Sequence, residues 1–266
     1  MNREKKQKIE EKFHDDWAET VNPEEIKVEK FFLSPTAVEF RYVASLIGNI
    51  KNKTFLDLGC GFGEASVWFA MNGAKVFALD ISPNMLKCAK RLAQKYKVDI
   101  TPIRSPAESI PLDVESIDIV FGGSILHHAD IEKTAKELKR VLRKGGRAFF
   151  IEPLSYNPLI KIYRRLASDV RTPTEKPFTF DDIKFLAGYF RRCKHKEFHL
   201  FTTLIFVWFF IGERLHPGKV RYWRKFIEEG EKYKRIFLFL FRIDRFFLKI
   251  PFLKRFCWNT VIELIK

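Results

Sequence analysis

Phe55-Leu56-Asp57-Leu58-Gly59-Cys60-Gly61-Phe62-Gly63 is followed at once by Glu64-Ala-Ser-Val-Trp-Phe-Ala-Met71. An apolar run of strand length enters a turn of three alternating glycines and leaves as a helix. Glycines in such a turn let the backbone bend sharply and let a ligand approach where a Cβ would stand. Two readings stay open on these residues alone: a plain strand–helix turn, and a ligand cradle. A dinucleotide fingerprint needs glycine where Glu64 stands, and no GxxxxGK[ST] phosphate loop occurs in the chain.

Working outward, short β-branched and aromatic runs recur at Thr54–Leu58, Lys75–Leu79, Val98–Ile103, Ile117–Phe121 and Arg147–Ile151. Helix-length segments separate most of them: Glu64–Asn72 before Gly73, Ser82-Pro83 to Tyr96, and Asp130–Leu142 before Gly145-Gly146. This alternation predicts an α/β domain whose parallel sheet is covered on both faces. Upstream, residues 1–22 read as a charged helix with Ile9, Phe13 and Trp17 on one stripe, and a second helix is expected from Ser34-Pro35 to Gly48. Asp80 ends the second strand, 17 residues beyond Gly63, where a carboxylate can accept both hydroxyls of a ribose. Gly59–Gly63, Asp80 and Gly122–Ser124 should share the rim at the carboxyl ends of the strands.

In order and spacing, Asp57-Leu-Gly-Cys-Gly-Phe-Gly63, Leu79-Asp-Ile-Ser-Pro-Asn-Met85, Ile117-Asp-Ile-Val-Phe121 and Leu138-Lys-Arg-Val-Leu-Arg-Lys-Gly-Gly146 resemble the motifs of class I S-adenosylmethionine-dependent methyltransferases of type 11. The resemblance covers about residues 50–153. It implies a doubly wound, mostly parallel, seven-stranded Rossmann-like sheet, with Cys257–Ile265 as the antiparallel last strand beside Lys194–Phe201. It also implies an N-terminal helical lid (1–48), a cofactor-binding core (49–201), a helical insertion (202–256) and a final strand (257–266). S-adenosylmethionine is the implied cofactor. Gly59, Gly61 and Gly63 would then pass its methionine portion, with Asp57 near the sulfonium and amino end. Asp80 would hold the ribose, and Ile81 and Met85 would pack on adenine. Ser105 stands where the family often has Asp, so Ser105, the Ala107 backbone or Glu108 would meet the adenine edge. Gly122 lies on the same rim.

Methyl transfer from a sulfonium needs in-line placement and exclusion of water, and a base only where the acceptor must lose a proton. His127 and His128, in Gly-Gly-Ser-Ile-Leu-His-His128, follow the fourth strand on that rim. His14 lies on the expected lid helix with Asp15 and Trp17. Tyr156 and Asn157 follow the fifth strand and are candidates for acceptor contact; Arg164, Arg165 and Arg171 offer forked donors to a phosphate or carboxylate. No metal is expected, because adjacent histidines rarely share an ion and no third ligand is evident.

Composition narrows the acceptor. The chain carries 46% hydrophobic residues and a net charge of +15. Residues 201–256 hold 12 of its 28 Phe, with 13 Lys/Arg against 5 Asp/Glu. Nucleic acid is an unfavourable partner: the aromatics stand in solid blocks such as Ile-Phe-Val-Trp-Phe-Phe210, there is no Asn/Asp-Pro-Pro-aromatic signature after the fourth strand, and no Pro-Cys pair occurs. From Arg235 to Lys249 a broad greasy face with a basic stripe (Arg235, Arg242, Arg245 and Lys249) fits an interfacial helix on an anionic membrane surface; a helical cap folded onto the core or onto a dimer partner is the competing reading. The longest stretch without charge or histidine, Leu200–Gly212, is 13 residues, short of a membrane span. The charged N-terminus and four scattered cysteines fit a cytoplasmic setting. The expected activity is methyl transfer to a lipid, isoprenoid or lipid-linked small acceptor from the cytosolic membrane face. A soluble metabolite or sugar as acceptor, and a non-catalytic cofactor-binding scaffold, are the alternatives. Composition leaves the oligomeric state open.

Overall fold

The apolar runs form one sheet in a computed structural model that describes residues 2–266. Its strands are β1 (Thr54–Leu58), β2 (Lys75–Asp80), β3 (Ile100–Arg104), β4 (Ile117–Gly123), β5 (Leu142–Pro153), β6 (Arg192–Phe198) and β7 (Asn259–Ile265), in the order β3-β2-β1-β4-β5-β7-β6. β1 to β5 are parallel to their neighbours, and β7 runs antiparallel to both β5 and β6. The expected sheet and its antiparallel last strand are therefore present. Alternation of side chains along each strand divides the core in two. Phe55, Ile119, Phe121 and Phe149 face one hydrophobic cluster, while Leu56, Val120, Ala148 and Phe150 face the other.

The N-terminal segment holds three helices, α1 (Arg3–Glu19), α2 (Val28–Leu33) and α3 (Val38–Ile47). The single helix expected from Ser34 is thus two. Ser34 closes α2, and its hydroxyl lies 3.0 Å from that of Thr36, which donates to the Phe226 carbonyl at 2.6 Å. Phe31, Phe32, Val38, Val43 and Ile47 are buried in the first cluster, so α2 and α3 are part of the core. Only α1 lies across the rim as a lid would. Asp15 clips it there by accepting the Asn84 N–H and the Ser82 hydroxyl.

Four helices cover the core segment: α4 (Glu64–Met71), α5 (Pro83–Lys95), α6 (Ile131–Val141) and α8 (Phe180–Ala187), with α7 (Pro158–Leu166) after β5. Ser82 and Asp130 cap α5 and α6 through the N–H groups of Met85 and Lys133, as their types favour. The insertion between β6 and β7 folds as α9 (Leu204–Ile211), α10 (Tyr222–Glu228) and α11 (Lys234–Phe247). Its inward residues, including Phe206, Phe209, Tyr222, Phe226 and Phe237, are buried in the first cluster with β1, β4 and β5. The buried seam of α11 is Tyr233, Phe237, Leu240 and Asp244, at spacings of four, three and four. Its opposite face mixes Ile236, Leu238, Phe239 and Phe246 with the exposed Arg235, Arg242, Arg245 and Lys249. The basic residues are interspersed among the apolar ones rather than collected in a separate stripe.

Candidate active site

The carboxyl ends of β1, β2, β4 and β5 open into a cavity of about 560 Å³, closed above by α1 and flanked by α7 and α10. The glycine turn is fastened to β2: Gly59 and Cys60 donate their N–H groups to the Leu79 carbonyl at 2.8 and 2.9 Å. Gly61 donates to Asp80 Oδ2 at 2.9 Å with φ +53°, and a Cβ there would meet nothing within 4 Å. That open side is what a ligand cradle requires. Gly63 serves packing instead. With φ +88° it heads α4, and a Cβ would stand 2.7 Å from the Ala89 Cβ of α5.

Asp57, Gly59, Gly61, Asp80, Ile81, Met85, Ser105 and Ala107 all line the cavity, whereas Gly63 and Gly122 do not. A Cβ on Gly122 would collide with Ile125 and Phe150 at 2.7 Å, so that glycine is required by the packing behind the rim. The Ser105 hydroxyl is engaged by the Ser109 carbonyl.

Asp57 and Asp80 decide the electrostatics. Both are buried, and neither has a salt-bridge partner among the described residues. Asp57 accepts the Ser66 hydroxyl at 2.6 Å, and burial pushes its pKa up to about 7. Asp80 accepts the N–H groups of Gly61 and Ser82, one per oxygen, which leaves each oxygen a further lone pair. Burial raises its pKa too, against the opposing pull of His14. Burying two carboxylates without a cation is costly, and a cationic ligand in the cavity relieves that cost. A sulfonium joined to an ammonium and a ribose fits this donor set.

Opposite them lies a second cluster. His127 Nδ1 is 2.7 Å from Glu152 Oε2, while the other Glu152 oxygen accepts the N–H groups of Ile125 and Leu126. Burial alone would lower the His127 pKa, but Glu152 and Glu175 outweigh it and raise it. His128 stacks beside His127 with ring centroids 4.1 Å apart; burial and the neighbouring His127 charge lower its pKa. His14 closes over them from α1, 5.8 Å from the His128 ring, and burial lowers its pKa as well. The three histidines proposed from the sequence are therefore brought together.

Sequence reasoning missed two acids here. Glu10 Oε2 lies 3.0 Å from His128 Nδ1, and Glu175 Oε2 lies 3.7 Å from His127 Nε2. The absence of a third ligand beside the histidines is thus corrected. Glu10 sits four residues before His14 on one helix face, a spacing visible in the sequence. Nothing local marks Glu175.

Other expectations change as well. Tyr156 points away from the cavity: its ring stacks on Phe180, its hydroxyl accepts the Phe180 N–H at 3.3 Å, and Arg255 covers its face. Asn157 is spent as the cap of α7 and as donor to the Phe256 carbonyl. Arg164 and Arg171 bind Glu175 and so are not free for an anion. Arg221, from the insertion, lines the cavity over the Trp17 ring at 4.0 Å.

Residues 56–150 match a family model described as a methyltransferase domain. Residues 56–150 are thus a methyltransferase domain. Over 124 residues the chain is 32% identical to a demethylmenaquinone methyltransferase of Lactococcus lactis, covering 45% of this chain and 48% of that protein. Over 114 residues it is 30% identical to a ubiquinone biosynthesis O-methyltransferase of Coxiella burnetii, covering 42% and 48%. The chain thus spans about half the length of these curated relatives. A crystal structure of a Thermotoga maritima SAM-dependent methyltransferase, described as a possible histamine N-methyltransferase, superposes with a TM-score of 0.57. That match covers 97% of this chain and 98% of the other at 17% identity, so it speaks for the fold alone.

Proposed function

We propose that the chain transfers a methyl group from S-adenosylmethionine to a small, largely apolar acceptor of lipid, isoprenoid or lipid-linked type, while docked on an anionic membrane surface. One observation carries the donor assignment: two buried, cation-free carboxylates, Asp57 and Asp80, line the cavity beside a glycine turn whose open side faces it. Asp57 would hold the amino end of the donor and Asp80 its ribose. Gly59 and Gly61 would pass its methionine portion. Ile81 and Met85 would pack on adenine, with Ser105 and Ala107 at its edge. When bound, the donor supplies an electrophilic methyl group on a positively charged sulfur. The chain's own task is to orient the acceptor in line and to exclude water; Trp17 of α1, in edge-to-face contact with Phe62 and Trp223, would serve the second. An acceptor hydroxyl would pass its proton to His14 or His128, both on the cavity wall; His127, anchored to Glu152, would position its neighbour.

The outer face of the insertion supports the membrane part of this reading. Trp208, Ile211, Phe239, Phe246 and Phe252 are each 58% exposed or more. Arg235, Arg242, Arg245 and Lys249 stand among them without a salt bridge among the described residues. Basic groups beside greasy side chains suit an anionic leaflet, at about 1 kcal/mol per Lys or Arg. No helix among the described residues is long and apolar enough to cross a membrane. Relatives named for demethylmenaquinone and ubiquinone biosynthesis point to the same acceptor class.

The test is incubation with radiolabelled S-adenosylmethionine and a membrane lipid extract, followed by identification of the labelled product. A labelled apolar lipid is expected. Label appearing only in the water-soluble fraction would replace the acceptor class with a soluble metabolite or sugar. Cofactor binding with no labelled product in either fraction would leave a non-catalytic scaffold. Flotation with vesicles containing anionic lipid tests the docking face: binding should weaken with salt and in Arg242→Gln/Arg245→Gln, and failure to float would refute it.

A further inference from the structure

Within the acid–histidine cluster at α1, the methyl-transfer reading leaves Glu10 without a role. Glu10 is only 6% exposed, and its Oε2 is buried with no hydrogen-bond donor in bonding geometry among the described residues. Its other oxygen is held by the hydroxyls of Thr172 and Thr174, which fix the carboxylate so that Oε2 points at the histidines. Leaving such an atom unpartnered costs about 1–3 kcal/mol or more for a charged group, so it calls for a positive partner. Oε2 lies 3.0 Å from His128 Nδ1 and 3.7 Å from His14 Nε2, and each of the three residues offers one ligand atom within 4.8 Å of the others. Ligands about 2.1 Å from a shared tetrahedral ion stand roughly 3.4 Å apart, so small shifts let these atoms surround one ion.

We propose that Glu10 Oε2, His14 Nε2 and His128 Nδ1 form a binding site for a divalent transition ion of the zinc class, with an open position toward the cavity. Two imidazoles and one carboxylate are a donor set that zinc and cobalt accept. The ligands come from both sides of the cavity mouth, two from α1 at helical i, i+4 spacing and one from the loop after β4. An ion there pins the lid helix to the core. The nearby Asp80 carboxylate adds favourable negative charge. A second set, His127 Nε2, His128 Nε2 and Glu175 Oε2, has similar spacing. The other oxygen of that acid carries Arg164 and Arg171, whose two positive charges repel a cation at that point.

This inference goes beyond the methyl-transfer reading: an ion on His14 Nε2 and His128 Nδ1 takes those two atoms out of the proton-acceptor role. The test needs no methyl donor, so ion binding and methyl transfer are read out separately. Untagged full-length protein, stripped with a chelator, is titrated with Co2+ while the visible absorption of the bound ion is recorded, and Zn2+ is then added in competition. One Co2+ per chain, displaced by Zn2+, is expected. Glu10→Gln and His14→Ala should each weaken binding by about tenfold or more, with far-UV circular dichroism and the metal-free melting profile retained. Glu175→Gln should still bind. The assignment is overturned if folded wild-type protein takes up no Co2+, or if the double variant Glu10→Gln/His14→Ala binds like wild type. It is equally overturned if Glu175→Gln abolishes binding while Glu10→Gln does not, which would move the ion to the His127 side.

Discussion

Asp57 should make cofactor binding release a proton. Its carboxyl is fully buried beside a single hydroxyl donor, and its pKa stands at about 7 rather than 3.8. In the ligand-free protein it is therefore about nine-tenths protonated at pH 6 and about one-tenth at pH 8. A cation seated against it restores the ionised form, so binding at pH 6 must expel close to one proton, against about 0.1 at pH 8. The same linkage makes the affinity about tenfold tighter at pH 8 than at pH 6. Isothermal titration calorimetry with S-adenosylmethionine, run at each pH in two buffers of different ionisation enthalpy, measures both quantities. Other groups at the site titrate too, so the informative quantity is the difference from Asp57→Asn, which keeps an acceptor for the Ser66 hydroxyl but cannot ionise. Equal proton release by wild type and variant at pH 6 would refute the reasoning. The ligand-free protein supplies an independent check. A folded pKa raised above its unfolded value means that the stability it confers is complete below about pH 4 and is lost as the pH rises through about 7. Asp57→Asn should therefore stabilise the ligand-free fold at pH 8, by about 4 kcal/mol at most, as read from urea denaturation.

Three further outcomes follow from the same structure. Gly63→Ala should cost about 2–4 kcal/mol in urea denaturation, combining left-handed strain with the clash on Ala89, whereas Gly61→Ala should cost about 1 kcal/mol and chiefly weaken cofactor binding; the reverse order would undo the assignment of their roles. His199→Ala strips the buried Glu39 of its 2.8 Å partner and should destabilise by about 3–5 kcal/mol. Burial alone would raise the Glu39 pKa, but His199 and Asn259 lower it overall, so this contribution is present above the ordinary glutamate range and disappears on acidification through the depressed value; acid titration of the two proteins should converge. Tyr156→Phe should leave methyl transfer within about twofold of wild type, since a hydroxyl bonded only to the Phe180 N–H lies outside the cavity; a larger loss would return Tyr156 to the site.

Short-range chemistry accounts for what was legible from the residues alone. Strand periodicity, the caps at Ser82 and Asp130, the glycine turn and the acid ending β2 are all encoded within a few positions, so the parallel sheet and the placing of the glycine turn beside Asp80 were legible in the sequence. The insertion's place between the last two strands came from the resemblance, and its split between a buried seam and an exposed face needed the partner surface. Tertiary packing alone decided the acid–histidine side of the cavity. Glu10 and Glu175 meet His127 and His128 because Asp15 clips α1 to the start of α5 and because the segment after α7 folds back beneath it. Tyr156 and Asn157 stand beside β5 in sequence yet turn away, since Phe180 and the α7 terminus offer them better partners. Local preference ranks backbone conformations over a turn or two. Which charges end up unpaired in a buried cavity depends on contacts more than a hundred residues apart, and those exist only once the chain has closed on itself.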